Sequence, residues 1–231
     1  MIHTKLCLGL SSSFGIPLPE QISLLKRIGF DAFFNEWSRG GLQKELKKAA
    51  DDNRMIYQSI HAPYKNMNDM WTTGKAADEA VDELLECLED CRENNVPIIV
   101  VHPFIGFEEH SPNGYGVENF QKVVEKAAAL KVKIAFENTE GEEYLAELMN
   151  AFRDQKNVGF CWDTGHEMCY NHSRDMLALY GNRLLCTHIN DNLGIRDFNG
   201  KITYLDDLHL LPFDGIADWN DITKRLNAWN Y

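Results

Sequence analysis

Apolar residues in this chain fall into short dense runs separated by longer stretches with a spacing of three to four. The runs Lys5–Leu10 (KLCLGL), Asp31–Trp37 (DAFFNEW), Met55–His61 (MIYQSIH), Pro97–His102 (PIIVVH), Val132–Glu137 (VKIAFE), Val158–Trp162 (VGFCW) and Leu184–Ile189 (LLCTHI) read as seven strands. The fourth is apolar almost throughout, as a strand buried on both faces should be. Helical spacing predicts helices over Pro19–Ile28, Leu42–Asn53, Lys75–Asn95, Val117–Leu130, Glu142–Phe152, Ser173–Tyr180 and Ala217–Asn227. In the long third helix Ala77, Val81, Leu84, Leu85 and Leu88 make the apolar stripe, and Gly29 ends the first helix.

Strand and helix alternate, which implies βαβ units and a parallel sheet. No Pro/Ser-rich linker or low-complexity stretch divides residues 1–231, so the expectation is one domain. Two α/β architectures compete, the doubly wound open sheet and the closed (β/α) barrel. The first strand ends in GLSSSFG, which fits neither phosphate-binding glycine pattern. A barrel predicts instead that polar chemistry gathers at the C-terminal ends of many strands.

The sequence has that feature. His61 ends the third strand, His102 the fourth and Glu137 the fifth; the sixth runs into Asp163, with His166 three residues on, and the seventh carries His188. Asp207 and His209 follow in a loop. Any one strand-end histidine is more often a core residue bonded to backbone. The same placement in five successive strands favours a metal site, because a cation removes the cost of burying carboxylates together. Imidazole and carboxylate suit zinc, manganese and related divalent ions, and no cysteine joins them at a strand end in the same register. His3, His110 and His172 lie off this register.

Charge and cysteine usage narrow the partners. With 23 Lys and Arg against 35 Asp and Glu, the formal net charge is −12. That balance, with no basic cluster, argues against gripping nucleic acid through its phosphates. No apolar run approaches the roughly 18–20 residues of a membrane span, and the start reads as lacking a signal peptide. The six cysteines form no CxxC pair, so free thiols in a reducing cytoplasm are expected.

HAPY at 61–64, VHP at 101–103, ENTEG at 137–141, GFCWDTGH at 159–166, THINDN at 187–192 and DLHLLPFDG at 207–215 follow one another at βα spacing. In this order the sequence resembles the xylose isomerase-like TIM barrel superfamily, which holds sugar isomerases and epimerases and endonuclease IV-type abasic-site nucleases. The resemblance implies a metal set of Glu137, Asp163 and His188 for the isomerases. For the nucleases it adds His61, His102, His166, Asp207 and His209, with up to three ions. The family's further glutamate lies on an eighth strand. Here the sequence reaches Tyr231 where that strand should begin, so a barrel lacking its eighth strand within this chain is expected, by truncation in preference to an edge covered by a partner or a genuine seven-stranded variant.

Two activities follow from the resemblance. The favoured one is a divalent-metal-dependent isomerase or epimerase of a sugar or sugar phosphate, cytoplasmic and in some homo-oligomeric state. Glu137 would move the proton beside a polarised carbonyl, and His166 would hold a substrate hydroxyl. Arg196 would meet a hydroxyl or phosphate, and Trp37, Tyr64 and Trp162 would wall the sugar. The alternative is an abasic-site nuclease with a multinuclear zinc centre, which the acidic charge disfavours.

Overall fold

In a computed structural model, which describes residues 5–108, 110–171, 174–195 and 201–231, seven parallel strands run in the order β1 to β7. They are β1 (Cys7–Gly9), β2 (Ala32–Glu36), β3 (Ile56–His61), β4 (Ile98–Val101), β5 (Lys133–Glu137), β6 (Val158–Asp163) and β7 (Leu184–His188). The helices are α1 (Leu18–Ile28), α2 (Gln43–Asn53), α3 (Lys75–Glu93), α4 (Gly114–Leu130), α5 (Glu142–Ala151), α6 (Thr164–Cys169), α7 (Met176–Tyr180) and α8 (Trp219–Ala228). No helix among the described residues is long and apolar enough to cross a membrane.

The seven strands curl into an incomplete barrel, open between β1 and β7. Phe34 on β2 shows the curvature, because its ring stacks on His188 of β7 with centroids 4.8 Å apart. The Phe34 ring also needs Gly9, since a Cβ at that position would stand 2.7 Å from it. At the open edge Leu6 and Leu8 are exposed, as an unpaired strand leaves them.

Alternation along each strand splits the core in two. Ile99, Val101, Ile134, Phe136, Phe160 and Trp162 face the helices and join the large outer core. Val100, Ala135, Cys161 and Cys186 face inward and form a small inner cluster. Two residues further along β5, β6 and β7 the same face presents Glu137, Asp163 and His188 at the rim.

Local chemistry fixes the helix ends near that rim. Gly29 ends α1 in a left-handed conformation, and its N–H bonds back to the helix. Arg183 donates to the carbonyls of Met149, Phe152 and Val158 at 2.8–3.0 Å, satisfying the end of α5 and the start of β6. The helix expected over Ser173–Tyr180 begins at Met176, where the Asp175 side chain caps Ala178 N at 2.9 Å; Ser173 lies outside the described residues. α6 was not expected. Its six residues are too short to show a periodic stripe, and Asp163 caps it through His166 N at 2.8 Å.

Candidate metal centre

Glu137 sits at the middle of the rim, 1% exposed. Its Oε2 lies 3.2 Å from His61 Nε2 and 3.1 Å from His102 Nε2, and its Oε1 lies 2.6 Å from His188 Nδ1. His61 and His102 Nε2 are themselves 3.2 Å apart. His61 Nδ1 donates to the Ala62 carbonyl at 2.8 Å, which fixes the ring with its Nε2 toward Glu137 and His102. Several acceptors meeting at this distance need a cation between them, whether a proton or a metal ion.

A second group lies beside it. The first turn of α6 places His166, whose Nδ1 donates to the Asn138 carbonyl at 2.8 Å and whose Nε2 faces Asp207 Oδ2 at 3.2 Å. His209 Nδ1 approaches the same carboxylate at 3.1 Å, from a residue in the left-handed region at φ 45°. Asp163 is held by the Asn190 amide, at 3.1 and 3.0 Å to its two oxygens. Asn138 bonds the backbone N–H and carbonyl of Asp163 at 2.8 and 2.9 Å, locking the tips of β5 and β6 together. The segment carrying Asp207 and His209 is tied back by an antiparallel bridge between Asp191 and Leu210.

The electrostatics favour a cation. Burial opposes the charge on Glu137, yet the His188, His102 and His61 imidazoles hold it well below the usual carboxylate range. Burial also opposes charge on His188 and His166, but neighbouring carboxylates push them up, to about 9 beside Glu137 and to about 10 beside Asp163, Asp207 and Glu137. Burial carries His102 the other way, to about 4. A field that draws protons onto two buried imidazoles also attracts a divalent ion.

The donors fit such an ion. Three sets have ligand atoms within 4.8 Å of one another: His61, His102 and Glu137; Glu137, Cys161 and His188; and Asp163, His166 and His209. Donors around a tetrahedral zinc stand roughly 3.3–3.8 Å apart, so only small movements separate these sets from ligation. His102 Nδ1, His188 Nε2 and Asp207 Oδ1 are buried with no hydrogen-bond partner among the described residues.

A family model for xylose isomerase-like TIM barrels matches residues 22–231. The chain belongs to this family. A D-tagatose 3-epimerase-like protein superposes with a TM-score of 0.76 at 20% identity, covering 99% of this chain and 88% of that one. The IolI protein, solved with a binding zinc atom, gives 0.77 at 18% identity, covering 97% and 84%. The 3-keto-D-glucoside 4-epimerase YcjR of E. coli gives 0.71 at 19% identity, covering 98% and 89%. At these identities the likeness is one of fold. An uncharacterized protein of Sinorhizobium fredii is 36% identical over 119 residues, 49% of this chain and 35% of that protein. The chain therefore spans about a third of the length of that curated relative.

Within this family member, the rim brings together His61, His102, Glu137, Asp163, His166, His188, Asp207 and His209. By proximity of donor atoms, Asp163 gathers with His166 and His209, while Glu137 and His188 gather with Cys161. Asp163 is the register partner of His188, and Asn190 and the α6 N-terminus engage its oxygens. The strand-end register carries no cysteine, but Cys161, two residues before Asp163, faces inward beside Glu137 and His188.

The aromatic residues separate likewise. Tyr64 lies over the centre, 5.1 Å from His102 and stacked on it, with 38% of its surface exposed. Trp162 does not wall the mouth: it is fully buried on the helix side, its N–H donates to Glu167 at 2.8 Å, and Arg225 covers its ring at 4.7 Å. Trp37 is 7% exposed and tied to Asp90 at 2.6 Å. It lends only an edge to a cavity of about 360 Å³ lined also by Glu36, Arg39, Tyr64, Lys65 and Glu83. Arg196 lies outside the described residues. Sequence reasoning missed Phe34, Asn138 and Asn190; period-two alternation in AFFNE would have pointed Phe34 inward, whereas the two asparagines act through contacts that no local pattern shows.

Proposed function

We propose that the protein is a divalent-metal-dependent isomerase or epimerase of a sugar or sugar phosphate, with one to three zinc or manganese ions. The observation that carries the reading is the meeting of one buried carboxylate, Glu137, with the imidazoles of His61, His102 and His188 at a rim bordered by the exposed Tyr64 ring. Family membership and the epimerases among the structural neighbours support it. A bound ion supplies polarisation of the substrate carbonyl, which acidifies the neighbouring C–H.

The chain's own residues do the rest. Glu137 is ionised at neutral pH and accepts the proton from carbon through a carboxylate oxygen. His166, fixed by Asn138, holds a substrate hydroxyl through its Nε2 side. The exposed Tyr64 ring packs on the sugar's C–H face. Zinc- or manganese-loaded protein in heavy water should exchange deuterium into at least one member of a panel of ketoses and ketose phosphates. Glu137→Gln should abolish the exchange, and no exchange with any member contradicts the reading.

A second reading, cleavage of a phosphodiester at an abasic site, is favoured by the presence of three adjoining donor sets. The net charge of −12 opposes it. Incubation with a duplex containing one abasic site distinguishes the two.

A further inference from the structure

Cys161 differs from the other cysteines in its surroundings. Strand alternation turns it into the barrel, where its register partners are Glu137 on β5 and Cys186 on β7. It is fully buried, and its Sγ lies within 4.8 Å of a Glu137 oxygen and a His188 ring nitrogen. The apolar residues of this inner cluster, Ile98, Val100 and Ala135, offer no donor atom. His188 Nε2 is buried and unpartnered. Asp163, the register partner of His188, accepts from the Asn190 amide and the α6 N-terminus and gathers with His166 and His209. Cys87 and Cys91, one turn apart on α3, join no such group among the described residues.

We propose that Cys161 is a thiolate ligand to an ion shared with Glu137 and His188, and that it makes this position select thiophilic ions such as zinc over manganese. Sulfur is the softest donor on the rim, and manganese prefers oxygen. On ligation the S–H bond breaks, a metal–sulfur bond forms, and the proton passes to solvent; nothing is oxidised or reduced. The proposal rests on the metal-dependent reading above, but its test does not use turnover.

Cobalt(II) titrated into the full chain reports the donors by absorption. The expected result is a sulfur-to-cobalt charge-transfer band in the near ultraviolet, absent in Cys161→Ser and kept in Cys186→Ser. Cys161→Ser should also lower the zinc-to-manganese affinity ratio by about tenfold or more, the scale on which supporting groups alter metal affinity. X-ray absorption at the zinc edge of the unmodified protein needs no variant and should show one sulfur neighbour at about 2.3 Å. Cobalt bound without the band, a band that survives Cys161→Ser, or zinc with no sulfur neighbour overturns the Cys161 assignment and leaves the metal reading standing. Failure to bind any of these ions overturns both.

Discussion

Asp191→Asn should unfold the loop that carries Asp207 and His209. Asp191 is fully buried just beyond β7. Its Oδ1 accepts from Asn192 N at 2.8 Å and Ala217 N at 3.0 Å, and its Oδ2 from Phe213 N at 3.0 Å and Trp219 Nε1 at 3.2 Å. An asparagine keeps one acceptor oxygen and turns an NH2 toward two donors, so two bonds to a charged group are lost. At about 1.5–3 kcal/mol each, the loss is about 3 kcal/mol or more. For a chain of this length that is a fall in Tm of roughly 6–12 °C. Burial opposes the Asp191 charge, but the backbone N–H groups of Ala217, Asn192, Gly215 and Phe213 hold its carboxyl below the usual range. A depressed folded-state value means the stabilisation is complete above the unfolded value of about 3.9 and is lost as pH falls through the folded one. Urea unfolding of both proteins should therefore show a wide gap at pH 7 that closes under acid. A gap below about 0.5 kcal/mol at pH 7, within the ordinary range of surface substitutions, or one that widens in acid, refutes the reasoning.

Two further substitutions probe the supports of the rim. Arg225→Ala leaves Glu167 buried without the guanidinium that contacts its two oxygens at 2.7 and 2.9 Å, so calorimetry should show a loss of about 3–5 kcal/mol, partly restored by Arg225→Lys. Gly165→Ala would place a Cβ 1.9 Å from Asn190 Oδ1, displacing the amide that holds Asp163. Zinc stoichiometry in Gly165→Ala should fall at the Asp163, His166 and His209 set, and a variant with unchanged stability and metal content contradicts that role for Asn190.

The barrel was legible because each strand is short, apolar and followed by a stripe of helical period, and all seven strands lie where those runs predicted them. The rim was legible for a related reason: His61, His102, Glu137, Asp163 and His188 all stand at strand ends, which parallel topology brings to one side. What failed was the face on which residues sit. Asp163 facing inward forces Trp162 outward and Cys161 inward, so one application of period-two alternation would have removed the tryptophan from the sugar wall and added the cysteine to the donors. The partners of Asp163 were beyond local pattern, because Asn190 crosses to it from the segment after β7 and α6 starts at once after β6.

Side chains distant in sequence are proposed to surround a divalent cation at one rim, and anomalous diffraction from crystals grown with zinc would locate that cation. At least one anomalous peak bonded to a Glu137 oxygen, with imidazole nitrogen from His61, His102 or His188 beside it, is the expected result. Peaks only at surface residues away from the rim, or a Glu137 carboxylate with no ion in reach at saturating zinc, would contradict it.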